Sequence, residues 1–321
     1  MCAHIIINMV YIEKRKRNGG IYLYLSENIR YGKNKWKQFR KYIRKGNKTK
    51  KEIEYLKSKY SSELKDKIRI FEERTDPLKK LIGKEDIKKI DGIKKKYSHK
   101  INSMDKVSKQ KYDEWFTTEF TYNSNTIEGS TINLRETALI LYDKISPSNK
   151  TIKEIREVEN HKTAFDFIKD YSGTFCRKFI LDIHKKLMYN ILGKNAGVFR
   201  NVQVYIRGVE KQELPPKPDE IEREFKKLMR WYRTSVKKYH PLIRISYFHI
   251  AFEGIHPFID GNGRTGRLIL NYMLKKENYP PVNIENKNKE EYYSALRDGL
   301  KGNLSPFIKM LINYLEKSAE Y

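Results

Sequence analysis

A chain of 321 residues with 39% hydrophobic content can fill a core, which excludes a wholly disordered protein. Its formal charge of +27 asks for an anionic partner, although abundant Lys and Glu also suit a hot or AT-rich source. Cys2 and Cys176 form no CxxC pair, the seven histidines show no HExxH spacing, and the longest apolar run, Ile5 to Ile12, is broken by Asn8. These features argue against a disulfide framework, a structural zinc site, a signal peptide and a membrane span. The expectation is a soluble, cytoplasmic protein with no membrane partner.

In chain order, residues 5–44 read as short strands. A β-prone run from Ile5 to Ile12 precedes the basic Lys14–Arg17 segment, and Asn18-Gly19-Gly20 supplies a hairpin turn into Ile21–Leu25. A third segment, Lys35–Tyr42, interleaves Trp36, Phe39 and Tyr42 with basic residues. Residues 1–50 hold 14 Lys/Arg against Glu13 and Glu27 alone. Such a pattern suits phosphates and bases, so nucleic acid is one candidate partner, against the plainer reading of a sheet with a lysine-rich solvent face.

Residues 51–107 read as a charged helical connector, with Ile53, Leu56, Tyr60 and Leu64 at helical spacing. Ser108 is the expected N-cap of a helix through Tyr112, Trp115, Phe116 and Phe120 that stops at Gly129. Ser124 and Glu128 share one face of it. Glu128 then sits at the negative end of the helix dipole, a placement that calls for a cation from elsewhere in the fold.

Helices are expected at 133–145, 152–170 and 175–190. Residues 197–208 alternate Val198, Val202, Val204 and Ile206 with polar neighbours, which predicts a short hairpin ended by Pro215-Pro216. Its free edge would accept an extended peptide, unless it only braces a loop. Asp219 is the expected cap of a helix through Trp231.

The most informative stretch is His256-Pro-Phe-Ile-Asp-Gly-Asn-Gly-Arg-Thr-Gly-Arg267, between the apolar segments Leu242–Ile255 and Leu268–Leu274. Gly261, Asn262 and Gly263 permit positive φ and close backbone approach, and N–H groups opening onto a helix N-terminus form an anion nest. Arg264 and Arg267 lie on one side of the first turn. Together these residues describe a polyphosphate site with an imidazole base beside it. Beyond it, Tyr292 sits on a helix with Tyr293, Leu296 and Leu300, where either tyrosine could flank a base although core packing is the plainer reading, and Ser305 starts the last helix.

Residues from about 108 to 317 resemble the Fic family of protein adenylyltransferases, whose signature His-Pro-Phe-x-Asp/Glu-Gly-Asn-Gly-Arg-x-x-Arg is complete here. Ser124, Glu128 and Gly129 resemble the family's inhibitory motif in its N-terminally inhibited class. Arg200 to Gly208 resemble its target-docking flap, with Val204, Tyr205, Ile206, Arg207 and Gly208 at its centre. The resemblance implies a mainly α fold, a helical Fic domain at 108–321 with a short β-hairpin flap; the connector at 51–107 and the basic β-rich segment at 1–50 precede it and lie outside the resemblance.

It also implies transfer of AMP from ATP to a Ser, Thr or Tyr hydroxyl of a target protein or of the chain itself. His256 would be the general base, and Asp260 would hold Mg²⁺ against the phosphates. Gly261, Asn262, Gly263, Arg264, Thr265, Gly266 and Arg267 would bind ATP, with Tyr292 near the nucleotide. Arg267 would meet either the γ-phosphate or Glu128. The chain departs from some relatives at Leu300, where they place a nucleotide-contacting Asn. Removal of AMP with help from Glu128, a Doc-like kinase toxin and a nucleic-acid-binding regulator acting through residues 1–50 are the alternatives. The target protein and any homo-oligomer are not specified by the sequence.

Overall fold

The computed structural model describes residues 10–32, 35–205 and 214–320, which divide into two compact units, Met1–Lys80 and Leu81–Tyr321. The expected connector is shared between them.

In the first unit, strands β1 (Tyr11–Arg17), β2 (Gly20–Gly32) and β3 (Lys35–Lys45) form an antiparallel sheet in the order β1-β2-β3. Asn18 (φ 44°) and Gly19 (φ 69°) make the turn between β1 and β2. Consecutive positive φ values match the right-handed twist of a hairpin, and Asn-Gly accepts them at little cost. The strand was expected to end at Ile12; it instead runs through the basic segment to Arg17, since Lys14 and Arg15 pair with Leu23 and Tyr22. Helix α1 (Lys50–Thr75) covers one face, burying Leu23, Leu25, Ile29 and Ile43 with its Leu64 and Ile68.

The second unit is helical: α2 (Lys84–Ser103), α3 (Lys106–Ile127), α4 (Leu134–Ala138), α5 (Ile152–Asp170), α6 (Arg177–Leu187), α7 (Pro218–Ser235), α8 (Pro241–Ile255), α9 (Asn262–Lys276), α10 (Lys289–Leu300) and α11 (Ser305–Glu320). Helices α8 and α9 lie at its centre. Helix α8 is buried on nearly every side, Arg244, His249 and Glu253 included, and packs against α7, α9, α10 and α11. Phe248, Phe252 and Phe258 are fully buried there, each contributing about 1.5–3 kcal/mol. Helix α9 packs against α3, α5 and α6, so its arginines enter a space closed by three other helices.

Several boundaries differ from expectation. Asp105 rather than Ser108 caps α3: its carboxylate accepts the Ser108 N–H at 2.8 Å, because a cap bonds the amide three residues ahead. Helix α4 ends at Ala138 and a wider turn, Leu139–Asp143, continues it to Lys144 in the left-handed region. Lys217 rather than Asp219 precedes α7, with Pro218 opening it and the Lys217 N–H donating to Glu220. No strand forms over residues 198–205. The backbone there is held by cross-loop bonds, and Val198 and Val202 are exposed, so the alternation marks no buried face. Ile206, Arg207 and Gly208 of the expected flap lie outside the described residues. Among the described residues, no helix is long and apolar enough to cross a membrane.

Candidate active site

The motif folds as a tight link between α8 and α9. His256 ends α8 in the left-handed region (φ 49°, ψ 60°), a conformation that a non-glycine residue adopts only when its surroundings hold it there. Two devices hold it. Asn262 clamps the loop, its side chain accepting the Phe258 N–H and donating to the Phe258 carbonyl, both at 2.8 Å. Arg200 fastens it from outside: its Nε donates to the His256 carbonyl at 2.8 Å and its backbone N–H to the Pro257 carbonyl at 2.9 Å.

Beneath the loop, the Gly197 N–H donates to His184 Nδ1 at 2.8 Å, so the proton lies on Nε2, which donates to the Asp260 carbonyl at 3.0 Å. Burial lowers His184 to about 4, which keeps this neutral tautomer in place. Its ring stacks on Phe258, with centroids 3.6 Å apart.

The His256 ring is partly exposed, and its Nδ1 faces the Glu253 carbonyl at 3.3 Å. A carbonyl only accepts, so Nδ1 carries the proton and Nε2 keeps its lone pair. Burial lowers the His256 pKa below that of a free imidazole, against a smaller upward pull from the bond to Glu253. This neutral imidazole is therefore a proton acceptor at pH 7.

The nest begins at Gly261 (φ 77°), the N-cap of α9. The first N–H groups of α9 have no acceptor within the helix, and they sit at its positive end. A side chain at Gly261 would collide with Met188, and one at Gly263 with Glu128 Oε1. Asp260 is half-exposed, its Oδ1 accepting the Gly261 N–H at 2.6 Å and lying 3.6 Å from Arg264 Nη2.

Both arginines are almost completely buried. Arg264 pairs with Glu157 of α5 at 2.9 Å and reaches Asn125 of α3 at 3.5 Å. Arg267 donates to Ser124 Oγ at 3.0 Å, the Ser124 carbonyl at 2.7 Å and Glu128 Oε1 at 2.8 Å. Burial alone would lower the Arg267 pKa, but Glu128, Tyr292 and Glu253 together more than offset it and raise it. Glu128 ends α3, followed by Gly129 at φ 100°, and the cation at this negative helix end is Arg267.

Other expected site residues lie deeper. Thr265 is fully buried, with its N–H donating to the Gly261 carbonyl, and Gly266 packs against Glu253 and His249. The Thr265 hydroxyl is buried with no hydrogen-bond partner among the described residues. Tyr292, expected beside the nucleotide, is 1% exposed with its hydroxyl 2.9 Å from His249 Nε2; the other ring nitrogen of His249 bonds the Gly266 carbonyl. Tyr292 thus braces α9 from below. Of the flap residues, Val204 and Tyr205 are described, and Tyr205 is 74% exposed.

Sequence reasoning missed Glu157, Asn125, His184, His249 and Glu253. Each is a polar residue on an otherwise ordinary helix, and only the tertiary fold turns it toward the motif. Among the described residues no cluster of three or more His, Cys, Asp or Glu side chains forms a ready-made metal site. A cleft of about 530 Å³ between α2, α3, α5 and α9 shares no residue with the motif.

Comparison with known proteins gives this arrangement its context. Residues 174–274 match the family model described as Fic/DOC family. The chain is 31% identical over 206 residues to "Protein adenylyltransferase Fic" of Drosophila erecta, covering 62% of this chain and 40% of that protein. The counterpart in Drosophila melanogaster is 30% identical over 206 residues. The matched region thus spans about two-fifths of these curated relatives. Among solved structures, Fic-1 (residues 134–508) from C. elegans superimposes with a TM-score of 0.66 at 25% identity, covering 78% of this chain and 74% of that one. A Fic domain containing signaling protein from Bacteroides thetaiotaomicron shares the fold, with a TM-score of 0.66 at 23% identity, over 72% of this chain and 94% of that one. The complete motif is thus seated on a helical core similar to that of these Fic proteins, within the residues that match the Fic/DOC family model.

Proposed function

We propose that the protein is a self-inhibited adenylyltransferase that moves AMP from ATP to a hydroxyl of a target protein. The observation that carries this reading is the junction of a neutral imidazole with a free Nε2 and a helix N-terminus whose amides lack acceptors. His256 takes the proton of the attacking hydroxyl. The hydroxyl oxygen forms a bond to the α-phosphorus while the bond to the bridging oxygen breaks, and pyrophosphate leaves. The α9 amides and Arg264 hold the phosphates, so positioning and fixed charge supply most of the rate.

Asp260 is the residue suited to Mg²⁺. It is half-exposed beside the nest, and a hard cation binds through one or two carboxylates and phosphate oxygens rather than a protein cage. When bound, the ion would neutralise phosphate charge. Glu128 is the inhibitor in this reading: its Oε1 occupies the space above Gly263 and engages Arg267, the side chain that would otherwise meet the outermost phosphate.

The test is incubation with ATP labelled on the α- or the γ-phosphorus, with and without EDTA, using wild type and His256→Ala. Label from the α position that requires both His256 and the divalent ion supports the reading. Label from the γ position would instead make the chain a kinase.

A further inference from the structure

Adenylyl transfer gives no role to the basic sheet of the first unit. Cross-strand pairs share a face, so the register determines what each face presents. One face carries Leu23, Leu25 and Ile29 and packs on α1. On the other, Arg15 pairs with Tyr22, Glu13 with Tyr24, Tyr24 with Tyr42, Tyr11 with Ser26, and Ser26 with Arg40. These rows contain no aliphatic side chain.

Three aromatic residues gather at one end. Tyr42 lies against both Tyr24 and Tyr22, with ring centroids 5.5 Å and 6.3 Å apart. Lys45 approaches the Tyr22 ring at 5.7 Å and Arg15 the Tyr24 ring at 6.0 Å. Tyr42 is 48% exposed. Glu13 accepts from Arg15 at 2.8 Å and from Arg40 at 2.7 Å, fixing two guanidinium groups on the face and leaving it with net positive charge.

We infer that this face binds single-stranded nucleic acid, with Tyr22, Tyr24 and Tyr42 as the stacking platform and Arg15, Arg40 and Lys45 as phosphate contacts. Stacking on tyrosine needs bases whose π-faces are open, which selects a single strand over a duplex. The missing aliphatic side chains count against a hydrophobic protein interface or insertion into lipid. The positive charge supplies the salt-sensitive part of the affinity.

The experiment uses the full chain and fluorescein-labelled oligonucleotides of about 12 nucleotides. Single-stranded RNA, single-stranded DNA and the corresponding duplex are followed by anisotropy between about 50 and 200 mM salt. Either single strand should bind at least about 10-fold tighter than the duplex, since each stacked base adds roughly 5- to 150-fold. Tyr24→Ala/Tyr42→Ala should lose a factor of that size, while Tyr24→Phe/Tyr42→Phe retains binding. Arg15→Gln/Lys45→Gln should flatten the log–log salt slope by about 1.4, at roughly 0.7 per contact. A duplex bound as tightly as the single strand, no binding, or binding that the alanine pair leaves unchanged would overturn the proposal. Circular dichroism of each variant reports its folding, and the readout is independent of adenylyl transfer.

Discussion

Arg267 Nη2 donates to Glu128 Oε1 at 2.8 Å, joining residues 139 positions apart and linking the end of α3 to the second turn of α9. The pair lies beside Gly263, in the space where a phosphate would enter the nest. In the proposed mechanism Glu128 and the outermost phosphate compete for one guanidinium. A hydrogen bond to a charged group is worth about 1.5–3 kcal/mol, so Glu128→Gly should raise transfer of α-label on the order of 10- to 100-fold. An unchanged rate in that variant, at equal folded fraction, would remove Glu128 from the role of inhibitor.

The His256 pKa, lowered mainly by burial, gives a sign for pH dependence. Only the neutral ring accepts a proton, so single-turnover rates in Glu128→Gly should hold level through neutrality and fall as acid protonates the imidazole. The fall should lie on the acid side of a free histidine, near ~6.5. An inflection above that value would contradict the buried-base account. His256→Ala should lose roughly 100- to 10,000-fold, the usual contribution of a general base.

Glu157 is the counter-charge of the buried Arg264, at 2.9 Å. Removing one partner of a buried pair strands the other, at about 3–5 kcal/mol. Glu157→Ala should therefore lower the denaturation midpoint strongly. Glu157→Gln, which keeps a hydrogen-bond acceptor, should lower it less. Equal midpoints in urea for wild type and Glu157→Ala would show that the pair carries no stability.

Glu253 is raised to about 8 by burial, with Arg267 opposing and Glu128 reinforcing the shift. The folded chain therefore holds a proton that the unfolded chain releases near pH 4.3. Stability from this group is complete below the unfolded pKa and is lost as pH rises toward 8. Glu253→Gln mimics the protonated form and removes that slope. The variant should match wild type near pH 4 and exceed it increasingly up to pH 8, as thermal melts across that range can establish.

The helical core was legible in the sequence because predominantly apolar segments, Leu242–Ile255 and Leu268–Leu274, flank the motif. The Asn18-Gly19 turn was legible because only a few residue pairs accept its backbone. Residues 198–205 misled because their alternation reflects exposed valines rather than a buried face. Tyr292 and Thr265 were assigned to the nucleotide by resemblance, and the burial of both side chains is a property of the tertiary fold that their local sequence does not specify. Glu157 and Glu253 could not be singled out, because a chain with 40 Asp and Glu residues gives no sign of which ones are buried.

Helix α3, which carries Glu128, is also part of the foundation of its unit. Phe116 and Phe120 stack on each other and pack edge-on or tilted against Phe165, and the Thr121 hydroxyl meets the buried His161 Nδ1 at 3.0 Å. In the proposed reading, a brake carried on this helix would not be shed by undocking it, since that would expose the aromatic cluster to water. Release would then be confined to the last turn, through rotation of the Glu128 side chain. Truncating α3 would report on folding rather than on control, and the informative changes are single substitutions at residues 124–129.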